Sequence, residues 1–295
     1  MVLTVDLGQS GTRIRLNDLS INSRRGKLAG ELPLPALHAV FDSIQRLSAD
    51  VVSLSCTGFG GLVSDPAPFA LLCREYFGAK EVAVIDDGLA GFIGALHGRD
   101  GVVLSIGGGV VSVGGRYGKF AHRDGLGSTF GDEGSGFWLG KLGITKALAV
   151  RQGREGDTRL LKAFQSQVSA YDALESKNGA DAATLAITSA QTLLDAADEG
   201  IVTAIKIRDE GAYLLAQTVI ATWLGTNGSS DEAPEIAIQG GPSANASYVR
   251  AIQRFITVSL PNTRFVGTSG DNLDGAAWIA ENMLEDAPPL LRWAR

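Results

Sequence analysis

Residues 3–16 read LTVDLGQSGTRIRL, a loop rich in glycine and hydroxyl side chains between two segments of alternating apolar residues. The alternation predicts a β-strand on each side of the loop. A Walker-type phosphate loop or a dinucleotide fingerprint would lead into a helix, so this segment fits neither. We therefore predict a β-hairpin whose tight turn directs backbone N–H groups and hydroxyls toward an anion. The turn consists of Gly8, Gln9, Ser10, Gly11 and Thr12.

Asp6 lies at the end of the first predicted strand, directly before this turn. Mg²⁺ keeps much of its hydration when it binds to proteins, so a single carboxylate can hold it through water. We predict that Asp6 holds Mg²⁺ in this way. Considered alone, the segment also fits an ordinary glycine-turn hairpin with a surface aspartate.

The second half of the chain repeats the arrangement. Residues 101–116 read GVVLSIGGGVVSVGGR, which predicts a strand, a glycine turn and a second strand. The turn consists of Gly107, Gly108 and Gly109. Two such turns, one in each half, could clamp the β- and γ-phosphates of ATP. Gly240 and Gly241 end a later predicted strand, where bare backbone could lie against adenine or ribose.

The length of 295 residues suggests two domains. We predict one domain over residues 1–100 and a second over 101–295, packed against each other across a cleft. An alanine-rich stretch from about 136 to 224 is expected to form a helical insert in the second domain. The closing stretch DAPPLLRWAR is expected to be an end broken by proline.

Composition excludes several classes of function. The net charge is -6, and no Lys/Arg cluster is longer than SRRGK, which argues against a nucleic-acid partner. No apolar run reaches the roughly 18 residues of a membrane span, and the first residues lack the pattern of a signal peptide. Cys56 and Cys73 are expected to be reduced, buried thiols. We expect a cytoplasmic homodimer with small-molecule partners and no membrane partner.

Six stretches carry a resemblance to a known family. In chain order they are DLGQSGT, DDGLAGFIGAL, VVLSIGGG, GLGSTFGDEGSGFWLG, IQGGPSANASYVRAI and DGAAWIAE. Their order and spacing resemble the actin/hexokinase/Hsp70 superfamily, and within it the N-acetylglucosamine kinases and the BadF/BadG-type ATPase family. The resemblance implies an α/β protein with two ribonuclease-H-like, actin-like ATPase domains flanking a cleft, the second with a helical insert.

The resemblance also implies roles for individual side chains. Asp87 would be the catalytic base that accepts the proton of the sugar hydroxyl, although its position also suits a helix N-cap. Asp86 would contact the sugar or Mg²⁺, and Asp132 would contact sugar hydroxyls, with Glu133 beside it. The remaining residues expected in the sugar pocket are Thr57, Gly58 and Gly125.

The second glycine loop departs from the family pattern, Gly-Thr-Gly-Ser followed by a polar residue, because Val110 and Val111 follow its three glycines. The resemblance predicts an ATP- and Mg²⁺-dependent kinase of a hexose or amino sugar, N-acetylglucosamine or glucosamine first. The departure in this loop concerns the sugar and not ATP. One alternative is a BadF-type ATPase that activates a dehydratase. The other is a nucleotide- or sugar-binding sensor without turnover.

Overall fold

The computed structural model describes residues 1–9, 11–28, 30–63, 65–287 and 289–295. Its first sheet has six strands in the order β11-β5-β4-β1-β2-β3. Val5 pairs with Ile14 in the antiparallel β1–β2 hairpin, which confirms the predicted opening hairpin. β1 runs parallel to β4, and β4 runs parallel to β5. The strands are β1 (Val2–Leu7), β2 (Thr12–Leu16), β3 (Leu19–Ser23), β4 (Val51–Cys56), β5 (Glu81–Asp86) and β11 (Leu291–Ala294).

Three helices accompany the first sheet, and the parallel strands alternate with them. They are α1 (Pro33–Asp42), α2 (Ala67–Phe77) and α3 (Asp87–Leu96). The sequence predicts a single strand through residues 12–19, but the chain turns at Asn17, whose φ of 51° is left-handed. Asparagine tolerates this conformation in a hairpin turn, so β3 pairs back onto β2.

The second sheet has five strands in the order β10-β9-β6-β7-β8. Again an antiparallel meander, here β6-β7-β8, opens the unit. β9 runs parallel to β6, and β10 runs parallel to β9. The two sheets therefore repeat one plan, as the two glycine turns predict. The strands are β6 (Gly101–Ile106), β7 (Val110–Arg116), β8 (Lys119–Asp124), β9 (Glu235–Gln239) and β10 (Arg264–Phe265).

The chain between β8 and β9 is mainly helical. The long α9 crosses this region and packs against β7 and β8 of the second sheet and against α10. Side chains of these helices and of the second sheet form one continuous apolar core. The helices are α4 (Gly136–Arg151), α5 (Thr158–Ala163), α6 (Gln165–Ala173), α7 (Ala180–Thr188), α8 (Ala190–Asp198) and α9 (Val202–Gly225), followed after β9 by α10 (Ala246–Ser259) and α11 (Asn272–Glu281). Within the described residues, no helix is long and apolar enough to cross a membrane.

The end of the chain returns to the first sheet. β11 pairs antiparallel with β5, and the backbone N–H of Asp86 donates to the carbonyl of Leu290. The sequence suggests a broken end here, but burial of Leu290 and Leu291 favours a strand. The predicted second domain spans residues 101–295, whereas sheet pairing joins its last residues to the first sheet.

α3 and α11 cross at very close range between the two sheets. A Cβ atom on Gly94 would lie 1.9 Å from the carbonyl oxygen of Asp271, and one on Gly275 would lie 1.8 Å from that of Ala90. Around them, side chains from both sheets and both helices form a shared apolar cluster. This crossing is therefore possible only because both helices carry glycine at the point of contact.

We expect Gly94→Ala to destabilise the protein, although alanine is the better helix former. The added methyl group meets backbone rather than a movable side chain, so the helices must separate, at a cost of about 1–3 kcal/mol. Urea denaturation measures this loss. Gly156→Ala is the control, because a Cβ atom at Gly156 has open space around it. Equal stability of the two variants would contradict the close crossing.

Candidate functional site

A cleft of about 610 Å³ lies between the two sheets, at the glycine turns and at the ends of β4 and β5. Its size is typical of a small-molecule site. Predicted site residues from both halves of the chain line it together. They are Gln9, Thr57, Gly58, Asp86, Asp87, Gly107, Gly108, Gly109, Gly125 and Asp132.

Backbone hydrogen bonds fix the conformation of the first glycine turn. The N–H of Gly8 donates to the carbonyl of Gly11 over 3.0 Å, and the N–H of Lys27 donates to the carbonyl of Gly8 over 2.9 Å. The hydroxyl of Thr12, predicted to face an anion, instead donates to the carbonyl of Arg25 over 2.7 Å. Thr12 therefore fixes the loop and does not present its proton to a ligand. Ser10 lies outside the described residues.

Asp6 lies behind this turn and does not line the cleft. Nη2 of Arg13 donates to its Oδ2 over 2.6 Å, and the hydroxyl of Ser55 donates to its Oδ1 over 3.2 Å. Arg13 also pairs with Asp271, the N-cap of α11, so it links the hairpin to the end of the chain. The carboxylate predicted to hold Mg²⁺ is thus already bound to a cation of the protein.

Asp86 and Asp87 lie at the junction of β5 and α3. Oδ1 of Asp86 accepts the N–H of Gly88, and Oδ2 accepts the N–H of Gly61, each over 3.0 Å. Asp86 is therefore the N-cap of α3, which was the alternative considered for Asp87. With both oxygens engaged and 1% exposure, Asp86 holds the start of α3 and the loop after β4. The carboxylate of Asp87 is left to face the cleft.

The electrostatic environment of Asp87 is unusual. Burial raises the pKa of its carboxyl group to about 6, and the charges of Asp86 and Asp6 add to the increase. A hydrogen bond from Thr57 partly offsets this effect. The group is thus a carboxylate at neutral pH, and it binds a proton more readily than an ordinary aspartate.

His122 is a site residue that the sequence analysis missed. It comes from β8 of the second sheet and reaches the first, because a Cβ atom at Gly61 would lie 2.9 Å from its Nδ1. Its Nε2 lies 3.8 Å from Oδ1 of Asp86. Burial lowers the pKa of His122, and the charge of Asp86 opposes this change. Two features of the sequence could have indicated His122. It is one of only three histidines, and it lies two residues before Asp124 and Gly125.

The second glycine turn is held by Asp132. Oδ1 of Asp132 accepts the N–H of Val110 over 2.8 Å, and a Cβ atom on Gly109 would lie 2.8 Å from the same oxygen. Burial raises the pKa of the Asp132 carboxyl group. Asp132 therefore lines the cleft and also shapes the loop. Glu133 is exposed and is not among the described residues that line the cleft.

Gly240 and Gly241 border smaller cavities that adjoin the cleft. Gly241 lines one of about 300 Å³ together with Gly107 and Gly108, and Gly240 lines one of about 310 Å³ with Asp87. A Cβ atom on Gly240 would lie 2.1 Å from the carbonyl oxygen of Ile106, so glycine is required there. Further lining residues were missed by the sequence analysis. They are Gly60, Ser105, Gly127, Ser128, Phe137, Ala183 and Ile187.

Solved structures share this fold over nearly the whole chain. A proposed N-acetylglucosamine kinase from Chromobacterium violaceum is 19% identical, with a TM-score of 0.63 over 96% of this chain and 98% of that one. A second, from Porphyromonas gingivalis, is 14% identical, with a TM-score of 0.59 over 96% and 100%. A ROK family glucokinase from Streptomyces griseus, in complex with glucose and AMPPNP, is 15% identical, with a TM-score of 0.58 over 95% and 99%.

These likenesses confirm the predicted architecture, two actin-like ATPase units in a mixed α/β protein. No functionally curated protein matches the chain in sequence. The family model named BadF/BadG/BcrA/BcrD ATPase family matches residues 3–273, which confirms the resemblance inferred from the sequence motifs. The chain therefore belongs to the BadF/BadG/BcrA/BcrD ATPase family.

Proposed function

We propose that the protein is an ATP- and Mg²⁺-dependent kinase that phosphorylates a hydroxyl of a hexose or amino sugar, with N-acetylglucosamine or glucosamine first. The observation that carries the proposal is the carboxylate of Asp87. It faces a cleft between two glycine turns, and its pKa of about 6 suits a general base at neutral pH. The likeness to sugar kinase structures supports the choice of acceptor.

In the proposed reaction, Asp87 accepts the proton of the sugar hydroxyl as its oxygen attacks the γ-phosphorus of ATP. The bond from that phosphorus to the bridging oxygen breaks, and ADP leaves. Gln9, Gly108 and Gly109 would direct backbone N–H groups at the phosphates, while the N–H of Gly107 closes its own turn by donating to the carbonyl of Gly109. Gly240 and Gly241 would lie against adenine or ribose, where their cavities adjoin the cleft.

The sugar is assigned to the part of the cleft near Asp87. Thr57 and Gly58 follow β4, and Gly125 and Asp132 approach from the second sheet, so sheets from both halves would hold the ring. Val111 lines the same cleft where related kinases place a polar residue, which keeps the identity of the sugar open to test. The homodimer and the cytoplasmic location stay predictions.

The side chains around the cleft suit a Mg²⁺ ion that keeps its bound water better than one that side chains ligate directly. Among the described residues, no group of three Asp, Glu, His or Cys side chains is arranged to hold a metal ion. Asp6 shares its carboxylate with Arg13, so the ion would take most of its ligands from water and phosphate. When bound, Mg²⁺ would neutralise charge on the transferring phosphoryl group.

The two alternatives receive less support. A dehydratase activator of this family would need exposed cysteines for an iron–sulfur cluster, but Cys56 and Cys73 are both buried. Burial also raises the pKa of the Cys73 thiol to about 12, far from the thiolate that a cluster needs. A sensor without turnover would have no need of a carboxylate with the raised pKa of Asp87.

Asp87→Asn should abolish most turnover without loss of folding. Amide and carboxylate are nearly isosteric, but the amide cannot accept the proton, so kcat should fall about 10²–10⁴-fold. ADP release measured against a panel of sugars tests this. Asp18→Asn, an exposed aspartate in the β2–β3 turn, is the control. Near-normal turnover by Asp87→Asn would remove Asp87 from the base role.

The same variant should be more stable than the wild type at pH 7.5. The pKa of Asp87 is raised from 3.8 to about 6 on folding, so its ionised form destabilises the folded state. Neutralising it should add about 1–3 kcal/mol to the free energy of unfolding. Since the wild type relieves the penalty by protonation, the gain should shrink as the pH falls from about 6 toward about 4. A pH-independent difference in urea denaturation would contradict this environment for Asp87.

The pH profile gives an independent check. Because Asp87 works only when ionised, kcat/KM should fall tenfold per pH unit below about 6, the raised pKa of this group. With an unperturbed aspartate as the base, this fall in kcat/KM would begin near pH 4. A rate profile between pH 4.5 and 8 at saturating ATP separates the two. A flat profile down to pH 5 would show that the base is a different group.

A further inference from the structure

A second cavity, of about 620 Å³, lies in the helical region beside the cleft. Ser128, Phe137 and Ala183 line both cavities, so the two adjoin each other. The walls of the second cavity are α4, the end of α6, and α7. This space is as large as the cleft, and the reaction proposed above makes no use of it.

The charged side chains that line this cavity are all positive. Lys141, Arg154 and Lys177 line it, and no aspartate or glutamate is among the described residues that do so. The chain as a whole carries a net charge of -6, so a wall with cations alone is a local departure from the average. Apolar and aromatic side chains such as Leu148 and Tyr171 complete the lining.

The three cations are held differently. Nζ of Lys177 donates to the carbonyl of Leu174 over 3.0 Å and lies 4.5 Å from the centre of the Tyr171 ring, so it caps the end of α6. Nε of Arg154 donates to Oε1 of Gln152. The two terminal nitrogens of its guanidinium group do not take part in this bond and can donate to a ligand. Nζ of Lys141 lies 5.7 Å from the centre of the ring of Phe137, which lines both cavities. Lys141 and Arg154 are therefore placed to meet a ligand.

We infer that the second cavity receives an anionic substituent of the sugar substrate, a carboxylate carried on the ring whose reacting hydroxyl lies at Asp87. This inference rests on the proposed sugar kinase function. Phe137 stands between the two spaces, so a sugar in the cleft can extend a short arm past it toward Lys141. The substrate class is accordingly an acidic derivative of a hexose or amino sugar, and the neutral parent is the poorer substrate.

Matched pairs of substrates test this directly. N-acetylglucosamine is compared with its carboxymethyl ethers at O3 and at O4, and each ether with its carboxamide, which has the same size and no charge. One of the acids should show a kcat/KM at least about tenfold above its amide, as two exposed charge contacts allow. The advantage should shrink in 0.5 M salt, because exposed charges are screened.

Variants then locate the effect. Lys141→Gln and Arg154→Gln should each raise the KM for the favoured acid about two- to fivefold, with kcat and the kinetics of the neutral parent unchanged. Lys162→Gln, an exposed cation on α5 outside this cavity, should change neither. Lys177 is left intact because it caps α6.

The outcomes separate the two proposals. Phosphorylation of neutral sugars with no preference for either acid, or equal effects of the variants on acid and amide, would overturn the second-cavity inference and leave the kinase function standing. Absence of phosphorylation with every sugar, while the protein binds ATP in calorimetry, would overturn the kinase function and this inference with it. A higher rate for the acid that Lys141→Gln and Arg154→Gln both reduce would support both.

Discussion

The buried carboxylate of Asp86 is the contact on which the arrangement of the site depends. One oxygen caps the first turn of α3, and the other holds the backbone of Gly61 in the loop after β4. His122 of the second sheet packs against the same loop and approaches the same carboxylate. A single side chain thus fixes the start of a helix, a loop of the first sheet and a contact from the second. Because Asp86 is the N-cap of α3, the carboxylate of Asp87 can line the cleft.

Arg13 performs a related task behind the first glycine turn. It joins Asp6 to the N-cap of α11, while Arg15 pairs with Asp274 in the same helix. Such partly exposed ion pairs contribute little each, about 1 kcal/mol or less. Their value lies in geometry, since both connect β2 with the helix that returns to the first sheet. Burial raises the pKa of Asp87, and the charges of Asp86 and of Asp6 add to that effect even though Arg13 pairs with Asp6.

Much of this could be predicted from local patterns. Alternating residues around the two glycine turns predict both hairpins. What could not be predicted depends on contacts far apart in the chain. The return of residues 291–294 to β5 needs the partner edge to be known, and the approach of His122 to Asp86 follows only once the second sheet faces the first. The sequence could not show that Asp86 is the N-cap of α3 while Asp87 lines the cleft, because this depends on the positions of individual oxygens.

The pairing of β11 with β5 has a consequence for how the chain is made. All but the last strand of the first sheet is synthesised within the first 86 residues, yet the edge of β5 lacks its neighbour until residue 294 has left the ribosome. An unpaired edge strand can pair wrongly with another chain. Until β11 is made, the amino-terminal unit is therefore an incomplete sheet, and α3 lacks its contact with α11 until that helix is made. Synthesis of β11, rather than of the first unit alone, completes this sheet.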